Sequence, residues 1–225
     1  QAFYARPQAN IPQACQSRAE AKGAYRFLDH PETNMETILE PHYQATVARM
    51  NREKVVLAVQ DTTTLNYSAH PLTENLGPIG YSKDRGIGLL LHDTLAFNRE
   101  GTPLGLLDVQ CWARDGADFG KKKRRHGLPI EQKESFKWLV SFRKVAQAQK
   151  QCYETMLVSV GDREADVYQL FELALSDPLG PKLLIRAEQD RLLAEGQGHL
   201  WEKMAEQEAS GIQEINVPRQ KNCRA

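Results

Sequence analysis

The sequence predicts an α/β domain, a mixed β-sheet with helices packed against it, preceded by a small helical region. Two short apolar runs, Val55-Val-Leu-Ala-Val59 and Met156-Leu-Val-Ser-Val160, have the length and the β-branched content of buried strands. Two longer aliphatic stretches, Ile87 to Phe97 and Leu104 to Trp112, are joined by Asn98-Arg-Glu-Gly-Thr-Pro103, whose Asn, Gly and Pro are hairpin punctuation. Helical spacing marks two other segments. Phe136, Leu139 and Val140 lie at i, i+3 and i+4, and Val167, Leu170, Phe171 and Ala174 carry the same stripe on to i+7. At 225 residues the chain is long enough to bury a full core.

In chain order, residues 11 to 52 read as helical, interrupted at His30-Pro31 and resuming from Met35 to Met50. This gives a helical N-terminal region over residues 1–52 and a core over 53–225. The first strand run ends at Asp61, and a loop containing Gly77, Pro78 and Gly80 leads into the hairpin. A polar loop carrying Lys121 to Arg125 precedes a helix over Glu131 to Gln149. The strand Met156 to Val160 then delivers Asp162, a helix follows, and Lys182 to Ala187 forms a last short strand. The order of three strands, helix, strand, helix, strand describes a mixed sheet with helices against it. No internal repeat or low-complexity segment is present.

Charge gives no general argument for a nucleic-acid partner, because Lys plus Arg and Asp plus Glu number 29 each. Its distribution does: Arg114 to Lys144 holds ten basic residues against four acidic ones. The four cysteines, Cys15, Cys111, Cys152 and Cys223, form no C-x-x-C unit. That spacing points away from a zinc site or a disulfide framework and toward a reducing cytosol. No apolar stretch is long enough to span a bilayer, and the first residues lack the apolar core of a secretory signal. The start at Gln1 and the stop after a basic, strand-like tail from Ile215 read as cuts rather than natural termini.

Asp61 and Asp162 are the leading candidates for chemistry, since each closes a strand-like run. If those runs pair in one sheet, both carboxylates emerge at its carboxyl edge. Hard cations such as Mg²⁺ take oxygen ligands and often use only one or two protein carboxylates together with substrate phosphates, so the pair suits metal-assisted phosphodiester chemistry. The bland alternative for either residue is a turn or a helix cap. Glu164 and Asp166 could support the site or simply favour the positive end of a helix dipole. The run Lys121, Lys122, Lys123, Arg124 and Arg125 is either a solvated loop or, beside a metal site, a contact to phosphate that confers affinity without sequence choice. His92 reads as a satisfied core or sheet residue, and Trp112, Trp138 and Trp201 as packing anchors. No Walker loop and no Gly-x-Ser-x-Gly elbow is present.

Local context raises the two aspartates above a generic pair. Val59-Gln-Asp-Thr-Thr63 resembles the first-aspartate motif of the DDE transposases of bacterial insertion sequences, in the insertion-sequence-four branch that contains the Tn-five-like enzymes. Gly161-Asp-Arg-Glu-Ala-Asp166 is similar to that branch's second-aspartate motif. Ala24-Tyr-Arg-Phe-Leu28, Glu134-Ser-Phe-Lys-Trp138 and Leu184-Ile-Arg-Ala187 resemble flanking blocks in the same order, so the likeness runs from about residue 11 to the end.

The resemblance implies an RNase H-like core with Asp61 on the first strand and Asp162 just after the fourth, adjacent and parallel. It further implies Mg²⁺ or Mn²⁺ as cofactor, two ions in the complete enzyme, and phosphate contacts from Arg163 and Arg186. Double-stranded DNA, as transposon ends and target, would be the partner of a homodimer, in a bacterial cytoplasm and associated with the nucleoid. The family's third carboxylate lies in a Tyr-x-x-Arg-x-x-x-Glu signature, and none of the seven tyrosines here has Arg three positions on. By resemblance a strand-rich insertion precedes that signature, and residues near 188–225 look like its beginning. The expectation is therefore a cut-and-paste transposase truncated before its third ligand and inactive as it stands. The rival is a non-catalytic remnant that binds DNA or inhibits a full-length transposase.

Overall fold

The computed structural model describes residues 2–70, 72–80, 86–116 and 127–214. The chain divides into two compact units, Gln1–Arg186 and Ala187–Ala225. The first unit opens with α1 (Ala2–Ala5), α2 (Ile11–Ala14), α3 (Arg18–Leu28) and α4 (Met35–Met50). The later starts are encoded locally. Asn10 and Asn34 form capping boxes with Gln13 and Thr37, and the Ser17 hydroxyl accepts the Glu20 amide. Such caps satisfy backbone donors that a helix leaves free at its first turn.

The sheet follows, with β1 (Val55–Asn66), β2 (Gly77–Pro78), β3 (Ile87–Phe97), β4 (Pro103–Trp112), β5 (Met156–Gly161) and β6 (Lys182–Ile185). Between β4 and β5 lies α5 (Phe136–Gln151), and between β5 and β6 lies α6 (Tyr168–Leu175). Strand order across the sheet is β4-β3-β1-β5-β6, with β2 on the first residues of β3. β3 runs antiparallel to β1 and β4, whereas β5 and β6 run parallel to β1. This is the RNase H-like mixed sheet flanked by helices that the resemblance implied.

Alternation along the strands sorts the residues by face. On the covered face Val56, Ala58, Leu90, Ala96 and Leu157 are buried, and helices add Met50 from α4 and Val145 and Ala148 from α5. A second cluster joins Trp138, Leu139 and Phe142 of α5 to Ala165, Leu170 of α6, and Leu183 and Ile185 of β6. The opposite face, with Leu57, Val59, Leu91, Leu95, Val158 and Val160, stays half-buried.

Several boundaries differ from the sequence reading. β1 does not end at Asp61 but continues to Asn66, because β3 is long enough to pair with it as far as Asn66↔Gly88. Gly77–Pro78 is a short strand rather than loop: a Cβ on Gly77 would lie 2.0 Å from the Arg114 carbonyl oxygen, so only glycine permits that approach. The helix placed at Glu131 starts instead as a 3₁₀ turn, Ile130–Gln132, before α5 begins at Phe136.

The second unit contains a 3₁₀ turn, Ala194–Gly196, and α7 (Leu200–Ala205), whose first turn is held by the Trp201 amide donating to Asp190 Oδ1 at 2.9 Å. Trp201 is 46% exposed, so it is not the packing anchor that its size suggested. Trp138 is, at 1% exposure. No helix among the described residues is long and apolar enough to cross a membrane.

Candidate active site and nucleic-acid interface

β1 and β5 pair in parallel from Val55↔Met156 to Val59↔Val160. Asp61 and Asp162 each lie two residues beyond that last pair, so the strands carry them to the same end of their pairing. Both are exposed. Asp162 also performs the cap role that its sequence position allowed, its Oδ1 accepting the Glu164 amide at 2.9 Å at the start of a 3₁₀ turn, Arg163–Ala165. Glu164 in turn forms an ion pair of 3.1 Å with Lys137 from α5.

A third carboxylate lies beside Asp61. Asp93 of β3 is the direct cross-strand partner of Asp61, on the same face. Burial pushes its carboxyl above the usual range, and the neighbouring Asp61 charge pushes it further. Like charges opposed across antiparallel strands repel, so this part of the sheet concentrates negative charge. Sequence reasoning passed over Asp93 because its importance depends on register. Its one local signal was a charged residue inside an otherwise aliphatic strand. Among the described residues, no group of three His, Cys, Asp or Glu side chains is arranged to hold a metal ion.

Beneath the aspartates, on the covered face, the packing is polar. Gln60 Nε2 donates to Ser159 Oγ at 2.7 Å, joining β1 to β5 one residue before Asp61. His92 is fully buried, its Nδ1 lies 2.9 Å from Thr62 Oγ1, and its ring packs edge-on to Trp138 with centroids 4.6 Å apart. Burial and then the Lys137 charge lower its pKa to about 4, against a hydrogen bond to the Asp61 backbone that raises it. His92 is thus neutral at pH 7, a buried residue of the sheet. It is only partly satisfied, since Nε2 has no partner among the described residues. Farther along, Asp108 Oδ2 accepts from Ser141 Oγ at 2.8 Å, and Gln110 Nε2 donates to the Lys137 carbonyl at 3.0 Å, tying β4 to α5.

Basic residues lie at two places. Arg163 follows Asp162 directly and is exposed, while the Arg186 amide donates to the Gly161 carbonyl at 3.2 Å, so both arginines flank the second aspartate. The run Lys121, Lys122, Lys123, Arg124 and Arg125 lies outside the described residues. A basic stripe that the sequence reading missed occupies α3. Arg18, Lys22 and Arg26 fall at i, i+4 and i+8, and with Tyr25 and Asp29 they line an open surface concavity. Its signal was available as one cationic face on an otherwise mixed helix.

Residues 1–33, which contain that stripe, match the family model described as transposase DNA-binding. Among solved structures, the chain is similar to the piggyBac transposase in a synaptic complex with hairpin DNA, at 10% identity and a TM-score of 0.38 over 84% of this chain and 37% of that one. It is also similar to the Mos1 strand transfer complex, at 10% identity and a TM-score of 0.30 over 90% of this chain and 61% of the other. A pre-cleavage Mos1 transpososome gives 10% identity and 0.28 over 90% and 62%. The chain therefore spans between about a third and three fifths of the length of those proteins.

Proposed function

We propose that the chain is the DNA-handling core of a cut-and-paste transposase of the insertion-sequence-four branch, with metal-dependent phosphodiester chemistry centred on Asp61 and Asp162. The observation that carries this reading is the parallel register of β1 and β5, which brings both motif aspartates to one end of their shared pairing. Residues 1–52 would supply DNA contacts and residues 53–225 the core, acting as a homodimer on transposon ends and target DNA in the bacterial nucleoid.

The donors present suit a hard divalent cation. Asp61 and Asp162 offer exposed carboxylate oxygens, the donor chemistry such ions prefer. Asp61 and Asp162 would hold Mg²⁺ or Mn²⁺, with Asp93 beside Asp61. When bound, two such ions activate water or a 3′-hydroxyl and stabilise the leaving oxygen of an in-line displacement. The protein's own residues orient the DNA. Arg163 and Arg186 flank the second aspartate and can neutralise phosphate there, while Arg18, Lys22 and Arg26 hold the backbone at a distance from the chemistry.

The test is Mn²⁺ binding by the purified chain, followed through loss of the free-ion paramagnetic resonance signal, alongside DNA binding by fluorescence anisotropy. Asp61→Ala and Asp162→Ala should each weaken Mn²⁺ binding and leave DNA affinity unchanged. DNA binding with no cation bound at the aspartates would favour a protein that only binds DNA or restrains an active transposase.

A further inference from the structure

The backbone pairing of β1 with β5 stops at Val59↔Val160, before either aspartate is reached. Something other than that ladder must hold Asp61 and Asp162 relative to each other. We propose that His92 and Trp138 are positioning residues that lock the two aspartate-bearing segments together from beneath the sheet. The proposal rests on the reading of Asp61 and Asp162 given above.

The contacts form one continuous path. His92, on β3, faces Thr62 in the β1/β3 register, and its Nδ1 reaches the Thr62 hydroxyl at 2.9 Å. The imidazole cannot swing away, because the Trp138 indole packs against it at an interplanar angle of 76°. The same indole touches the other aspartate's segment: a Cβ on Gly161 would lie 3.1 Å from Trp138 Cζ3, 2.6 Å from Ala165 Cβ and 3.0 Å from Ile185 Cδ1. One ring therefore rests against both the residue preceding Asp162 and the imidazole behind Asp61.

The next residue of α5 in the N-terminal direction completes the hold. Lys137 pairs with Glu164, whose amide donates to Asp162 Oδ1. Two consecutive helix residues thus bear on the aspartate segments, Trp138 on both through aromatic packing and Lys137 on that of Asp162 through charge. His92 and Trp138 are 0% and 1% exposed, so neither can touch DNA, and any influence they have on the site passes through other residues. Two apolar side chains would fill this space without leaving His92 Nε2 and Trp138 Nε1 unpartnered among the described residues. Retaining polar rings here fits a role in orientation more than one in packing.

The experiment compares the wild-type chain with His92→Leu, which removes the ring nitrogens, and His92→Asn, which keeps an amide donor near Nδ1. Mn²⁺ affinity should fall about tenfold in His92→Leu, the range seen when a group orienting a metal ligand is removed, and should recover in His92→Asn while the melting temperatures of both stay near wild type. Hydrogen exchange read on peptides containing Asp61 and Asp162 adds an arm that needs no metal. Exchange should rise at both aspartate segments in His92→Leu while Val55 to Val59 stays protected. Unchanged exchange at both segments would overturn the proposal, as would wild-type Mn²⁺ affinity in His92→Leu. Absence of Mn²⁺ binding by the wild type would instead overturn the aspartate reading, and the exchange arm would still decide the positioning role. If His92→Leu does not fold, Thr62→Val removes the same hydrogen bond from the β1 side and carries the same expected outcomes.

Discussion

Lowering the pH should destabilise this fold through one buried ring. The His92 pKa is lowered from 6.5 to about 4, first by burial and then by the Lys137 charge. The groups around the ring are Thr62 and the Asp61 backbone from β1, and Lys137 and Trp138 from α5, with Glu164 as the countercharge to Lys137. Between those two pH values the unfolded chain binds a proton that the folded chain refuses. The stability conferred by a neutral His92 is therefore complete above about pH 6.5 and is lost as the pH falls through about 4. A fall from 6.5 to about 4, at about 1.36 kcal/mol per pH unit, amounts to about 3 kcal/mol. Urea unfolding followed by circular dichroism from about pH 7.5 down to about 4.5 measures it, with His92→Asn as the comparison. The wild-type stability should fall more steeply than that of the variant, and the gap between the curves should approach that magnitude. Parallel curves would refute the argument, because acidic residues elsewhere contribute equally to both proteins.

Asp93→Asn should raise the melting temperature at pH 7. The raised carboxyl binds a proton in the folded state before it does so unfolded, so stability is lost as pH rises through its titration, and the gain should vanish near pH 3. Asp61→Asn should give a smaller gain of the same sign, since its charge is the second cause of that shift; a loss of stability in Asp93→Asn at pH 7 would show that the pair is not in conflict. Gly161→Ala places a methyl group against Ala165 and Trp138 and should cost roughly 1–3 kcal/mol, read as a fall of roughly 2–4 °C in Tm per kcal/mol; an unchanged melt would mean that α5 yields freely. Replacing Arg18, Lys22 and Arg26 with Gln should reduce the slope of log affinity for DNA against log salt by up to about 0.9 for each phosphate that is no longer neutralised, whereas an unchanged slope would assign the stripe to a solvated face.

Much of the architecture can be read from local pattern. The aliphatic alternation of Ile87 to Phe97 and the turn residues at Asn98 to Pro103 define the hairpin of β3 and β4, and both are recovered with their approximate bounds. Helix spacing at Phe136 to Val140, and the strand that precedes Asp162, follow from the same kind of short-range periodicity. Such features depend on residues a few positions apart, where side-chain direction repeats with the backbone itself.

The site depends on more. Asp61 sits inside a twelve-residue strand because β3 pairs past it, and no residue near Asp61 reveals how far that partner extends. The opposition of Asp61 and Asp93 requires a register between strands that are separated in sequence; a shift of one residue would have turned Asp93 to the other face. His92 shows the same division. Its burial was legible from its apolar strand, but its contact with Thr62 and with a tryptophan 46 residues further along the chain was not. The sequence by itself determined which segments form strands and helices and which carry the carboxylates. Tertiary structure decided which carboxylates stand beside each other and what holds them there, because strand partnership and register are set by pairing across the sheet and by packing against α5, interactions that no local period records.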